Sequence, residues 1–359
     1  MKYSPFRHIG SVFSKRDPIH LTFFVTKKCN AKCPFCFYLS RNDNGTQVPE
    51  LSLEEIERVS RSLGDLLWLA FSGGEIFLRE DLADITKIFY KNNRPSIILL
   101  STNGLLPERI REQTEDILKR CKNSTVVVKL SLDGPEAVHD SLRGVRGAYQ
   151  NVIRTYELLE GILERYDNFE IGINTVFCSL TQDHMNETIT LVNGLEHIRT
   201  HTVSLVRGDI REPEMKEVDM EKYHRTIQRM QGQLTSCPGN RYRFRGAKLK
   251  TAQDILQRRL IYETVMQRKR LISCYAGMLN LVMTETGDVY PCESFDMSMG
   301  NIRESDYDVQ RLLRHEGARK VKESIRRGDC YCTHECYMMT NILFNPSLYP
   351  AVIKEFARI

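Results

Sequence analysis

HLTFFVTKKCNAKCPFC, residues 20–36, decides the fold. The run from His20 to Thr26 is rich in β-branched and aromatic side chains and reads as a buried strand. Cys29, Cys33 and Cys36 follow with spacing C-x3-C-x2-C, directly at the strand's C-terminal end. In parallel α/β folds, ligands sit at the carboxyl ends of strands. Thiolates are soft ligands that suit zinc or iron–sulfur clusters. A structural zinc wants four ligands. This loop offers three, and the next cysteine is Cys121. Three thiolates on a four-iron cluster leave one iron without a protein ligand and therefore open to chemistry.

Outward from this loop, short strand-like runs alternate with longer stretches of helical spacing. The further strands are expected at Leu67–Phe71, Ser96–Ser101, Thr125–Leu132, Glu170–Phe177 and Thr202–Val206. Ser52 with Glu55 three residues on is a capping box that opens the first helix. The other helices are expected near 81–92, 107–121, 147–166, 183–198 and 217–234. Strands alternating with helices imply a parallel sheet with right-handed crossovers. Six such units fit a partial (β/α)6, TIM-like barrel better than a closed eight-fold one. The expected organisation is an N-terminal segment over 1–19, the barrel over 20–235, a basic linker helix over 236–272, and a small cysteine-rich hairpin-and-helix extension over 273–359. That extension is expected to be organised by metal rather than by a large apolar core.

The 359 residues are 41% hydrophobic and 27% charged, with a net charge of +5. This composition belongs to a folded globular chain. No run of 18 apolar residues and no secretory signal are present, so the expectation is a cytoplasmic protein without a membrane span. Eleven cysteines, an odd number, argue against a complete disulfide framework and for metal or catalytic use. Cys121, Cys178 and Cys237 stand alone and read as small apolar filler.

The cysteine loop, with Phe35 just before its last cysteine, resembles that of the radical S-adenosylmethionine superfamily. The resemblance implies that the amino and carboxylate groups of S-adenosylmethionine chelate the open iron. One electron then splits the sulfonium, and a 5′-deoxyadenosyl radical abstracts hydrogen from substrate. A flavodoxin- or ferredoxin-like protein is the implied electron donor. Gly73-Gly74-Glu75, after the second strand, resembles the family's methionine-binding element, although Ile76 stands where proline is common. By that resemblance Glu75 pairs with the cofactor's ammonium. Thr102-Asn103, ending strand three, is expected to wall the nucleoside pocket. Ser131-Leu-Asp133-Gly resembles the element whose serine contacts the cofactor. Arg143 resembles the arginine that holds its carboxylate, a task suited to a guanidinium fork. Leu205 is expected to pack on adenine.

The rear cysteines have their own pattern. Cys274, Gly287 and Cys292 follow C-x12-G-x4-C, with Gly287 at the tip of an expected hairpin formed by Leu279–Thr284 and Asp288–Pro291. Cys330, Cys332 and Cys336 come later. The arrangement, with Gly300-Asn301-Ile302, resembles the extension called SPASM or twitch. The shortened second half implies one auxiliary 4Fe–4S cluster, held by Cys274, Cys292 and two of the other three. Spacing does not choose among Cys330, Cys332 and Cys336. Glu285, Asp288 and Glu293 lie near this cluster, and no catalytic acid or base stands out among them.

Arg241 to Arg270 carries ten Lys/Arg and two acids. It reads either as a solvated helix or as a face toward an anionic substrate; no nucleic-acid module is evident and nucleic acid is not an expected partner. The favoured function is radical oxidation or rearrangement of an anionic or sugar-bearing small molecule. By the resemblance, many peptide-modifying members carry a winged recognition domain ahead of the barrel, and about 19 residues leave no room for one here. The alternatives are a peptide or protein side-chain maturase and a non-catalytic zinc-thiolate scaffold.

Overall fold

Alternation along each strand builds two faces, and the chamber described below lies on one of them. In β4 (Thr125–Ser131), Val126, Val128 and Leu130 are buried in the main apolar core, while Thr125, Val127, Lys129 and Ser131 face inward. The computed structural model describes residues 2–40, 48–236 and 247–359. The remaining barrel strands are β1 (His20–Thr26), β2 (Trp68–Gly73), β3 (Ile97–Thr102), β5 (Phe169–Phe177) and β6 (Ile198–Leu205). They are joined in order and parallel, and the row β6-β5-β4-β3-β2-β1 is an unclosed barrel. The mixed α/β, partial-barrel expectation therefore stands. Phe23, Phe71, Phe77 and Phe89 are fully buried between sheet and helices. Each contributes about 1.5–3 kcal/mol by leaving water.

Several elements differ from the sequence reading. β6 begins at Ile198, four residues earlier than expected, because its outer half is only partly covered and carries no apolar run. The preceding helix accordingly ends at Asn193. A short helix, Glu136–Arg143, follows β4 and ends on Gly144 in the left-handed region. The tail helix expected after the hairpin is interrupted, forming Val309–Arg314 and Glu316–Arg327. The break is at His315, whose extended backbone ends one helix and whose side chain caps the next. The capping box at Ser52 and Glu55 forms, with bonds of 3.2 and 2.9 Å.

The tail joins the barrel through its sheet. Its hairpin strands β7 (Asn280–Met283) and β8 (Asp288–Tyr290), with β9 (Gly300–Asn301), continue the barrel sheet. β7 lies parallel to β1, with His20 opposite Asn280 and Phe23 opposite Met283. Leu281, Val282, Leu312, Val321 and Ile325 bury into the same core as the barrel helices. The pairing between β1 and β7 spans more than 250 positions, and the short run Asn280–Met283 has no sequence mark of its partner.

The basic helix, Ala247–Gln267, is not a solvated strut. Ala252, Leu256, Leu260 and Ile261 are buried against Phe177, Tyr223, Met338 and Val352. Together with the helices Glu335–Leu343 and Tyr349–Arg358, it covers the side of the barrel left open at β6. Arg241, Arg243, Arg245 and Cys237 lie outside the described residues.

Candidate active site

The cysteine loop is fixed from below by the two glycines after β2. A Cβ at Gly73 would stand 2.4 Å from the Thr26 carbonyl oxygen, and one at Gly74 would stand 2.1 Å from that of Lys28. Only hydrogen fits at that approach. The gain is two backbone bonds, Gly74 N–H to Thr26 and Glu75 N–H to Lys28, each 2.8 Å. They bind the turn after β2 to the root of the loop.

Glu75 is wholly buried and does not face the chamber. Its carboxylate accepts from Thr102 Oγ1 (2.8 Å), from the Asn103 N–H (2.8 Å) and from the Phe77 N–H (3.2 Å). Burial nevertheless raises its pKa to about 6. Glu75 thus ties the end of β3 to the turn after β2. Asn103 in turn donates to Asn30 Oδ1 at 2.7 Å and lies 3.8 Å from Cys29 Sγ. Asn30 was not singled out in the sequence.

Asp133 is likewise fully buried. It accepts from the Val176 N–H at 2.9 Å and pairs with Arg143 Nη2. Arg143 reaches Cys33 Sγ with Nη1 at 3.7 Å and lies 5.6 Å from the centre of the Phe35 ring. Its Nε is buried with no partner. One arm of the fork is therefore committed to Asp133, and the other edge remains for a carboxylate beside the cysteine loop. The Ala31 and Leu39 N–H groups point at Cys29 Sγ (3.5 Å) and Cys36 Sγ (3.3 Å). Such donors stabilise thiolates. Burial pushes the Cys29 thiol up to about 11 and raises Cys33, a bias that bound cations reverse. Three soft donors backed by N–H groups, with an unpaired guanidinium nitrogen beside them, fit a three-thiolate cluster with a chelated ligand.

All three loop cysteines open on one chamber of about 1380 Å³, which extends through the barrel. Phe35, Gly73, Gly74, Thr102, Asn103, Ser131, Arg143 and Leu205 line it, so the expected cofactor residues other than Glu75 and Asp133 converge there. The volume exceeds the roughly 300–1,000 Å³ of ordinary ligand pockets, so cofactor and substrate fit together. Lys129, Arg207, Tyr223, Arg258, Glu293 and Cys336 also line it and were not read as chamber residues. The available signal for Lys129 was its being the single charge in Thr125–Leu132.

The rear cysteines divide. Cys274, Cys292, Cys330 and Cys332 are close enough to raise one another's pKa, each after burial as the larger cause. Cys332 is pushed to about 12. Four clustered thiols whose charged forms repel one another suit a site that gathers cations between them. Cys336 instead lines the chamber and acts on Lys129 and Arg207. At the turn, His334 Nδ1 accepts from the Cys336 N–H at 3.1 Å, and Cys336 lies on the helix Glu335–Leu343. Glu293 bonds His334 (2.6 Å) and Arg207 (3.1 Å). Glu285 accepts from Tyr38, and Asp288 stays within the hairpin, accepting from Thr286 and Asn301. Among the described residues, no group of three or more His, Cys, Asp or Glu could hold a single metal ion, and no helix is long and apolar enough to cross a membrane.

Comparison with known proteins agrees with this geometry. Residues 23–192 match the model of the Radical SAM superfamily, and residues 274–337 match that of an iron–sulfur cluster-binding domain, SPASM. The chain is 27% identical over 305 residues to the antilisterial bacteriocin subtilosin biosynthesis protein AlbA of Bacillus subtilis. That match takes in 81% of this chain but only 59% of AlbA. It is also 27% identical over 307 residues to the AdoMet-dependent heme synthase of Methanosarcina barkeri, covering 81% of each. In fold it resembles the structure of anSMEcpe with bound AdoMet, with a TM-score of 0.60 and 21% identity over 95% of this chain and 96% of that one.

Proposed function

Because the chain is a radical S-adenosylmethionine enzyme with a SPASM-type iron–sulfur extension, we propose that it oxidises or rearranges an anionic small molecule enclosed within the barrel. The observation that carries this reading is the chamber. It is a single space that joins the cysteine loop at one end to buried cationic side chains deeper in the barrel. Its lining suits a largely apolar body with an acidic group.

In this reading Cys29, Cys33 and Cys36 hold the reactive 4Fe–4S cluster, and Arg143 takes the S-adenosylmethionine carboxylate with its uncommitted edge. Ser131, Asn103, Thr102 and Leu205 wall the cofactor. Phe35, Gly73 and Gly74 shape the loop, while Glu75 and Asp133 act through the residues they hold. When bound, the cluster and cofactor supply a 5′-deoxyadenosyl radical by one-electron cleavage. Cys274, Cys292, Cys330 and Cys332 hold one auxiliary cluster, placed to accept the electron that a net oxidation leaves behind.

Two measurements test this. Cys332→Ala should lower iron from about eight to about four per chain, whereas Cys336→Ala should leave it near eight. Equal losses would return Cys336 to the ligand set. For the substrate, anaerobic reconstituted enzyme should move deuterium from a labelled acidic metabolite into 5′-deoxyadenosine. Transfer only from a peptide would select the second reading, a peptide side-chain maturase, which the similarity to AlbA favours.

A further inference from the structure

Deep in the chamber, below the cysteine loop, two cations bond consecutive residues of β6. Lys129 stands two residues before Ser131 on β4 and so on the same face, one strand repeat further in. Its ammonium donates to Thr202 Oγ1. Arg258, from the basic helix, reaches the neighbouring residue and donates through Nη2 to the His201 carbonyl at 3.3 Å. Its Nη1 is buried without a partner. Tyr223, fully buried and under the electrostatic influence of Glu335 and, less, of Arg258, has a hydroxyl with no partner either.

Among the described residues, no carboxylate lies within 4.0 Å of Lys129 or Arg258, although acids are present nearby. Asp254 is paired with Lys250, and Glu335 lies 3.8 Å from Arg207. Glu293 is shared by Arg207 and His334. Glu335 shares Arg207 with Glu293, keeps one buried oxygen without a hydrogen-bond partner and adds its charge near Lys129. Lys129 and Arg258 are each bonded only to neutral oxygens, and the Tyr223 hydroxyl has no partner. Buried charge without a counter-charge is costly and is seldom retained without a compensating partner. Two other cations of this helix are occupied elsewhere: Arg259 bonds Glu355 at 2.6 Å, and Lys248 lies over Phe356. Burial also lowers the Lys129 pKa to about 8, which leaves the ammonium largely charged near neutrality.

We propose that Lys129, Arg258 and the Tyr223 hydroxyl form an oxyanion subsite that holds a carboxylate or phosphate of the substrate beneath the cofactor. The assignment deepens the small-molecule reading above and rests on it for the word substrate. A guanidinium, an ammonium and a phenol supply several donors and no acidic acceptor, the complement of an oxyanion. Held there, an acid group would anchor one end of the molecule and leave its other end toward the cysteine loop.

The test is calorimetric titration of full-length, anaerobically reconstituted protein with two probes, pyrophosphate and citrate. The expected result is saturable binding of at least one, weakened tenfold or more by Lys129→Met and by Arg258→Gln, and about threefold by Tyr223→Phe. Lys129→Arg, which keeps the charge, should stay within about threefold of the wild type and answers for any misfolding of the methionine variant. Arg259→Gln should bind as wild type. Preference for pyrophosphate would mark a phosphate substrate, and preference for citrate a carboxylate. Binding of neither probe by the wild type, or undiminished binding by Lys129→Met and Arg258→Gln, overturns the subsite. S-adenosylmethionine cleavage, followed in parallel, reports on the radical chemistry separately. Its loss with anion binding intact would count against the enzymatic reading alone.

Discussion

Replacing Cys33 with alanine is expected to abolish reductive cleavage of S-adenosylmethionine completely. A cluster held by three thiolates has no spare ligand, and two cysteines cannot retain four irons against exchange with solvent. Cys33 is also the thiol that Arg143 approaches at 3.7 Å, so the same change loosens the guanidinium placed for the cofactor's carboxylate. The rear quartet shares no side chain with this loop. Iron should therefore fall from about eight to about four per chain, and the auxiliary signal should survive. The measurement is 5′-deoxyadenosine formed under strong chemical reductant, beside iron content and spectroscopy of the reduced protein. Continued 5′-deoxyadenosine production by a protein that has lost one cluster would mean that the reactive cluster had been assigned to the wrong end of the chain. A loss of both clusters together would instead indicate that the loop is needed for folding, and Cys29→Ala and Cys36→Ala would then have to show the same.

What the sequence made legible follows from burial. A strand with a face in the core carries a run of β-branched and apolar side chains, and β1, β3, β4 and β5 are found within two residues of where such runs place them. The front cysteines were legible because three thiols in eight residues at a strand end have few other uses. The rest depends on contacts that spacing does not encode. Glu75 and Asp133 sit in legible rim motifs, but the partners that hold their carboxylates come from elsewhere in the chain: Thr102 and Asn103 for one, Arg143 and Val176 for the other. Cys332 and Cys336 are equivalent on paper. A helix starts between them; Cys332 lies near Cys274, Cys292 and Cys330, and Cys336 lines the chamber. The basic segment looked like surface because charge usually means water. It holds Arg258 inside only because Ala252, Leu256 and Ile261 pack the same helix across the open side of the barrel.

Asp133→Asn should cost about 3–5 kcal/mol of stability, the penalty for leaving a buried guanidinium without its counter-charge. The asparagine can still accept from the Val176 N–H through its oxygen, so the change isolates the charge on the Arg143 side. There the amide NH2 would face Arg143 Nη2, and donor would meet donor. Because Arg143 lies against Phe35 and Cys33, the weakened region includes the cysteine loop, and S-adenosylmethionine binding should fall about tenfold or more. A structural account alone would predict that repairing stability repairs binding. The double variant Asp133→Asn/Arg143→Met separates the two. Removing the buried charge together with its partner should recover most of the lost stability, since an apolar replacement for a buried pair is often neutral or better. It should not recover cofactor binding, because the guanidinium edge that faces the loop is gone. Denaturant unfolding of the single and double variants, set beside their cofactor affinities, measures both. If stability and affinity return together in the double variant, Arg143 is a structural brace and the cofactor's carboxylate is held by another group.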